Sequence, residues 1–227
     1  MRTRLLLLFF WTCISVVSSQ SNTTSESDSL YREDQLYVGV TYNALLQLPD
    51  GVTQNSFSTG LHLGLIRDFP LNKRRNIAIG LGLGYSFNIF NQNIKINASN
   101  TPTYTILNDV DYSRNNFSQH LIEVPFELRW RTSNAESYKF WRIYTGIKLG
   151  YLVGSKSVFD GASGRISNRN LENLNPWQYG LTLSVGYNTW NGYIYYGLHP
   201  IFDKAFSENA QALDMSALKI GLIFYVL

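Results

Sequence analysis

The feature that most limits the fold of this chain is a strict alternation of apolar and small residues. It is clearest between Ile77 and Phe90, where one parity is aliphatic or aromatic and the other carries Ala, Gly, Ser and Asn. Because successive side chains of a β-strand point to opposite faces, this period of two predicts a strand with two unlike faces. From Leu36 onward no helical period competes with it, so the sequence predicts an all-β fold.

The same alternation recurs often enough to close a barrel. It appears in roughly eight segments, the number needed for a small up-and-down β-barrel. We therefore predict one barrel domain over residues 36–227. The predicted apolar stripes are Leu36–Tyr42, Phe57–Leu65, Ile77–Ile89, Ile122–Trp130, Trp141–Tyr151, Trp177–Tyr187, Ile194–Leu198 and Leu218–Val226.

The composition of the two faces separates a soluble barrel from a membrane barrel. A strand surface that meets water usually carries Lys, Glu, Thr and Gln, and glycine there weakens the strand. Here the face opposite the apolar stripe is dominated by Gly, Ser, Asn and Thr, which suit a narrow polar interior. The apolar stripe then points outward into lipid, and we predict an eight-stranded antiparallel transmembrane barrel. A secreted soluble barrel is the alternative.

Two further patterns are typical of outer-membrane barrels. The predicted connections alternate between short and long, with Asn91–Asn116 and Ser155–Asn175 the longest. Outer-membrane barrels have short periplasmic turns and longer external loops, so we expect both termini in the periplasm. Aromatic residues near the ends of the outward stripes predict a girdle at each membrane interface. The predicted girdle residues are Trp130, Trp141, Trp177 and Tyr187.

The amino end has the pattern of an export signal. Arg2 and Arg4 precede an apolar run that ends in small residues near Ser19, so we predict a signal peptide over residues 1–19. The run is too short to span a membrane as a helix. Residues 20–35 are rich in Ser, Thr and acidic residues and are predicted to form a flexible periplasmic leader.

Motifs that carry chemistry are scarce in the rest of the chain. Removal of the signal would take away Cys13, the only cysteine, and lower the formal net charge from +3 to +1. This balance excludes a disulfide framework and does not indicate a nucleic-acid partner. The histidines His62, His120 and His199 lack metal-ligand spacing, and Gly80-x-Gly82-x-Gly84 lacks the spacing and helix of a nucleotide-binding loop. We predict no enzyme activity, no cofactor and no metal.

A few charged residues fall on the predicted inner face. Glu123, Glu127 and Arg129 share one strand, while Arg142 and Lys148 share the next. Pairing between these strands would give a buried salt-bridge network. Because an eight-stranded barrel is packed with side chains, we expect this network to fill the lumen without an open pore. A proton or solute path through the charges is the alternative.

Three segments carry a family resemblance. Leu121-Ile-Glu-Val-Pro-Phe-Glu-Leu-Arg-Trp130 and Tyr144–Tyr151 resemble consecutive strands of the small outer-membrane β-barrel family that is abundant in Bacteroidota. The end of the chain resembles the terminal signal read by the barrel-assembly machinery, although Leu227 replaces the usual aromatic residue. The resemblance implies outer-membrane lipid and this machinery as partners. The residues of the assembly signal are Lys219, Gly221, Phe224 and Val226.

Shorter segments carry a narrower resemblance. Arg129–Asn134, Lys139–Gly146, Gly186–Asn191 and Gly221–Tyr225 together resemble the PorT (SprT) family of the type IX secretion and gliding apparatus. The resemblance implies a barrel needed for export of proteins with a C-terminal sorting signal, acting through contacts with other secretion components. The alternatives are a stand-alone barrel for envelope stability or adhesion through its long loops, and a soluble ligand-binding barrel with an apolar lumen.

Overall fold

The computed structural model describes residues 34–54, 56–97, 102–107, 112–132, 140–162 and 164–226. The predicted signal peptide and most of the predicted leader lie outside these residues. The first strand begins two residues before the predicted start of the barrel. The strands are β1 (Asp34–Leu46), β2 (Thr59–Pro70), β3 (Ile77–Asn91), β4 (Ile94–Asn97), β5 (Thr103–Ile106), β6 (Tyr112–Arg131), β7 (Trp141–Gly161), β8 (Gly164–Arg169), β9 (Trp177–Tyr187), β10 (Trp190–Gly197) and β11 (Ser216–Val226).

Eight of these strands form one closed antiparallel barrel. Their order around the ring is β1-β2-β3-β6-β7-β9-β10-β11, and β11 pairs in turn with β1. This closing ladder runs from Leu36 opposite Val226 to Leu46 opposite Ser216. It leaves no open sheet edge at the closing seam in the hydrocarbon region. The predicted eight-stranded up-and-down barrel is confirmed.

The two faces of the barrel strands have the predicted orientations. On β9, every residue of the outward parity from Trp177 to Tyr187 is exposed, and every residue between them is buried. On β1, Val38 and Val40 are exposed, whereas Tyr37 and Thr41 are buried. The barrel therefore has an apolar outer surface and a lumen lined largely by polar and small residues.

Among the described glycines, the backbone of a paired strand comes closest at Gly221 and Gly146. A Cβ atom on Gly221 would lie 2.0 Å from the carbonyl oxygen of Val40 on β1. A Cβ atom on Gly146 would lie at the same distance from the carbonyl oxygen of Phe126 on β6. Since both obstacles are backbone atoms, a side chain at either position would push two paired strands apart.

The two longest connections contain more β-structure than the sequence predicts. β6 begins at Tyr112 and β7 runs to Gly161, so both strands extend past the predicted loop boundaries. β8 adds a third strand to this extension by pairing with β7, and β4 pairs with β5 as a separate hairpin. The alternation is hard to follow there because apolar residues change face: Phe117 and Phe159 are buried on the inner side.

A β-bulge on β7 separates the barrel from the extension. Leu121 of β6 lies opposite Leu152, and the next residue, His120, lies opposite Gly154. Val153 is therefore an extra residue on β7. Even-numbered residues of β7 face the lumen before the bulge, and odd-numbered residues face inward after it.

Candidate functional site: the filled lumen and the outer end

In the part of the lumen nearest the short connections, four buried charged residues form a group of ion pairs that we call the lower cluster: Asp68, Glu127, Arg129 and Arg131. Arg129 donates from Nη1 to Asp68 Oδ1 at 2.5 Å and from Nε to Glu127 Oε2 at 3.0 Å. Arg131 donates from Nη1 to the second oxygen of Asp68 at 2.7 Å. The Asp68 carboxylate thus joins two arginines that lie on the same face of β6.

Aromatic rings enclose the lower cluster. The guanidinium carbon of Arg129 lies 4.1 Å from the ring centroid of Tyr144 and 4.9 Å from that of Tyr225. Both distances are within the range of cation–π attraction, which is strengthened where water is excluded. Tyr144 and Tyr225 face inward and are buried. They fill space that the charged side chains alone would leave open.

Arg142 is placed differently from the sequence prediction. It is buried in the lumen, but no carboxylate oxygen of the described residues lies within 4.0 Å of it. Its guanidinium lies over the rings of Phe140 at 4.6 Å and Tyr225 at 5.7 Å. The residue opposite Arg142 on β6 is Arg131, not an acid. The alternation along a strand determines which face a residue occupies, but it does not determine how neighbouring strands are aligned. The cross-strand partner of Arg142 could therefore not be predicted.

A second group of buried residues, Glu123, Lys148 and His62, lies further from the short connections and is called the middle cluster. Lys148 Nζ lies 3.0 Å from Glu123 Oε2, and His62 Nδ1 lies 3.5 Å from the same oxygen. Ser86 donates from its hydroxyl to Glu123 Oε1 at 2.7 Å. The structure therefore brings Glu123 together with Lys148, and Glu127 together with Arg129, as two separate groups.

The predicted assembly-signal residues lie on β11, the strand that closes the barrel. Lys219 points into the lumen, where its Nζ lies 4.9 Å from the ring centroid of Tyr195. Gly221 makes the close approach to β1 described above. Phe224 and Val226 have the opposite parity and lie on the lipid-facing side, where Val226 is exposed.

The predicted girdle residues lie near both ends of the barrel. Trp141 and Tyr187 contact each other near the short connections, with ring centroids 5.3 Å apart, and Trp130 lies at the same end. Trp177 lies at the other end, 4.9 Å from the ring of Tyr151. The ten residue steps from Trp141 to Tyr151 give about 25 Å along the axis of a barrel with strands tilted by about 40°. This height matches the apolar band of an outer-membrane barrel.

Beyond the upper girdle, the outer connections pack around an apolar cluster that we call the loop core. The ring of Phe117 lies 5.0 Å from that of Phe90 and 5.4 Å from that of Phe202. Burial raises the pKa of the nearby Tyr104 to about 12, because the charged phenolate is disfavoured away from water. The outer end of the barrel is therefore packed with apolar side chains. The loop core includes Phe90, Ile94, Tyr104, Phe117, Ile201, Phe202, Leu213 and Met215.

Two features are absent from the described residues, a metal-binding cluster and a membrane-spanning helix. In this part of the chain, no group of three or more His, Cys, Asp or Glu side chains is arranged to hold a metal ion. The same residues contain no helix with the length and hydrophobicity needed to cross a membrane.

The closed barrel, with its apolar outer band and aromatic girdles, has the architecture of a transmembrane β-barrel. Residues 18–203 match the family model described as outer membrane protein beta-barrel domain. The chain therefore belongs to the outer membrane protein β-barrel domain family and is a protein of the outer membrane. Among solved structures it is similar to Ail, the attachment invasion locus protein of Yersinia pestis, with 13% identity and a TM-score of 0.40 over 85% of this chain and 97% of that one. A search of curated protein sequences finds no match.

Proposed function

We propose that this barrel is a nonconducting accessory component of type IX secretion that acts through contacts with other proteins. The observation that supports a nonconducting barrel is its filled lumen, in which Arg129, Arg131 and Tyr144 are each 1% exposed. Eight-stranded barrels are typically packed in this way and leave no aqueous channel. Type IX secretion is supported by the four segments that resemble the PorT family.

The proposal includes an orientation in which both termini and the short connections face the periplasm. It is supported by connection length, since 47–58, 92–111, 162–176 and 198–215 are all longer than 71–76, 132–140 and 188–189. Labelling of intact cells with a membrane-impermeant maleimide tests it. We expect the Lys204→Cys variant to be labelled and the Lys73→Cys variant to be protected; the reverse pattern would contradict this orientation.

A deletion strain tests the proposed role in secretion. We expect proteins with a C-terminal sorting signal to accumulate in the periplasm and to reach the medium again when the intact gene is restored. The abundance of an unrelated outer-membrane barrel should stay unchanged, which excludes a general defect in barrel assembly. Normal export by the deletion strain would refute the role in secretion.

Conductance in a planar lipid bilayer tests the filled lumen separately. The purified barrel should give no steady current, because its polar interior is occupied by side chains that are held on the strands. Steady, ion-selective currents would instead assign the protein to the porins. The two measurements are independent, so a failure of either one identifies which half of the proposal is wrong.

The second candidate is a stand-alone barrel for envelope stability or adhesion. The observation that favours it is the folded outer end, where the β4–β5 hairpin contributes Ile94 and Tyr104 to the loop core and β8 pairs with β7. Outer connections of fixed shape are suited to binding at the cell surface. The same deletion strain separates the candidates: normal export with increased detergent sensitivity or weaker attachment would favour this second function.

A further inference from the structure

We propose that the outward face of the β6–β7–β8 extension binds the phosphate groups of lipopolysaccharide in the surrounding outer leaflet. The cations of this face are Arg114, Lys156, Arg165 and Arg169, and we call it the basic face. It uses residues to which the proposed secretion function assigns no role. The proposal rests on the proposed orientation in one respect, namely that the basic face lies at the outer leaflet.

The pairing of β7 with β6 and β8 beyond the bulge determines which residues form the basic face. Beyond the bulge, Ser155 is buried on the inner side, so Lys156 turns outward. Arg169 of β8 lies directly opposite Lys156, and cross-strand partners share a face. The inner face of the extension is covered by the β4–β5 hairpin, where the Asn168 side-chain amide donates to the carbonyl oxygen of Ile96 at 2.8 Å. On the outer face, Val158 is buried, but Arg114, Arg165 and Arg169 are exposed and Lys156 is half-buried, so these cations remain available to a ligand.

The basic face carries more positive than negative charge. Like charges directly opposite each other destabilise a sheet, and Lys156 and Arg169 are such a pair. Further along β7 on the same face, Asp160 lies opposite Arg114 of β6 on one side and opposite Arg165 of β8 on the other. One carboxylate therefore faces two arginines. No carboxylate oxygen among the described residues lies within 4.0 Å of these cations. A bound anion would reduce the repulsion between the positively charged side chains of the basic face.

The position of the basic face relative to the membrane selects the anion. Tyr151 of the upper girdle lies opposite Ile122 and Lys156 lies opposite Ser118, four residue steps apart on β6, which gives about 10 Å along the barrel axis. The polar layer of a bilayer extends about 5–8 Å beyond the hydrocarbon, and long cationic side chains reach back toward it. The face is also turned away from the barrel axis, toward neighbouring lipid. At the height of Lys156 and Arg169 in the outer leaflet, the anionic groups that the two cations meet are the phosphates of lipopolysaccharide. Arg114 and Arg165 lie four residue steps further out.

The chemistry of the side chains agrees with a phosphate ligand. Arg169 presents a planar guanidinium that can bind two phosphate oxygens, while Lys156 supplies a compact charge beside it. Ser118 of β6 lies opposite Lys156 on the other side and shares the outward face. Its hydroxyl, which contacts the Lys156 carbonyl oxygen at 3.4 Å, adds a polar group next to the two cations.

Binding of lipid A to the intact, detergent-folded barrel tests the proposal. Native mass spectrometry would measure the affinity for bisphosphorylated lipid A of the natural protein and of a variant with Lys156→Gln and Arg169→Gln. We expect this variant to bind about thirtyfold more weakly, because each cation near an anionic surface contributes a factor of about five. The matched control has Lys73→Gln and Arg74→Gln at a short connection, and it should bind like the natural protein.

Two further arms separate charge recognition from misfolding and from general anion binding. A variant with Lys156→Arg and Arg169→Lys keeps both charges and should retain binding. Dephosphorylated lipid A should bind the natural barrel as weakly as the glutamine variant binds the phosphorylated form. Equal affinity of the natural barrel and the folded glutamine variant, or equal affinity for the two forms of lipid A, would overturn the proposal. Equally tight binding of inorganic phosphate alone would overturn the assignment to lipid.

Discussion

The lower cluster and the loop core fill the two ends of one barrel by opposite means. The lower cluster surrounds Arg129 with carboxylates and tyrosine rings, whereas the loop core surrounds Phe117 with apolar side chains. The difference follows from what lies outside the wall at each level. Within the membrane the outer face meets lipid and takes the apolar residues, while beyond it the outer face meets water and the apolar residues move inside.

The largest effect on stability is expected in the lower cluster. Asp68→Asn preserves the shape of the side chain but leaves the buried Arg131 without its ion-pair partner among the described residues. Breaking a buried ion pair on one side costs about 3–5 kcal/mol, because the remaining charge stays buried. Urea titration of the barrel in lipid vesicles measures this loss in the free energy of unfolding.

An exposed ion pair on the same barrel provides the control for Asp68. The Asp34 carboxylate lies 3.6 Å from Arg67, and both side chains are well exposed. Asp34→Asn should therefore cost less than about 1 kcal/mol. If the two substitutions cost the same, the lower cluster does not behave as a set of buried charges, and the contrast with the loop core fails.

The next largest effect is expected on the lipid-facing surface. Leu183→Arg places a charge between the two girdles and should cost about 2–4 kcal/mol. Trp177→Arg on the same face of β9 lies at the upper interface and should cost about 0–1 kcal/mol. The same urea titration measures both variants. Equal costs would mean that Trp177 does not mark the membrane boundary, and that the switch of the apolar face lies at another level.

A smaller effect is expected at the seam that closes the barrel. Gly221→Ala adds a methyl group that collides with the Val40 carbonyl oxygen, and overpacking of this kind costs about 1–3 kcal/mol. Gly192 on the neighbouring strand is the control, because a Cβ atom there would lie 3.7 Å from its nearest neighbour, the Val185 carbonyl oxygen. Urea titration measures both variants, and a larger loss in the free energy of unfolding for Gly192→Ala than for Gly221→Ala would contradict this account of the seam.

The smallest effect is expected in the loop core. Phe117→Leu keeps the site apolar and should cost about 1 kcal/mol, with the change confined to the outer connections. Limited proteolysis of the folded barrel would detect loosening there while the membrane span stays protected. Phe206→Leu is the control, since this ring is 56% exposed and its replacement should cost less than about 0.5 kcal/mol. Cleavage within the span of the Phe117→Leu variant would show that the two ends are not independent.

The membrane span could be predicted from the sequence because each of its faces has one environment along its whole length. Leu181, Leu183 and Val185 alternate with Thr182 and Ser184, so the residue types alone identify the lipid face of β9. The buried positions of Glu123 and Lys148 follow from the same parity. The face that each side chain occupies depends on the local sequence, so it can be predicted from a single sequence.

The partners within the lumen could not be predicted in the same way, because they depend on register and strand length. Asp68 falls beyond the predicted stripe Phe57–Leu65, yet it lies on β2 and contacts Arg129 and Arg131 of β6. Beyond the membrane the alternation no longer separates a lipid-facing side from a polar lumen. Phe117 has the parity of the polar lumen residues, so its burial conflicts with the pattern that identified the barrel.

The extra residue at Val153 has a consequence for comparing this chain with its relatives. If Val153 were absent, Gly154 would still lie opposite His120, and the surface beyond it would be unchanged. A relative one residue shorter at this point would therefore display the same outer face from positions of the other parity. The length of the chain can therefore change here without a change in the outer surface. An alignment gap at Val153 is not evidence that two such barrels present different faces to their surroundings.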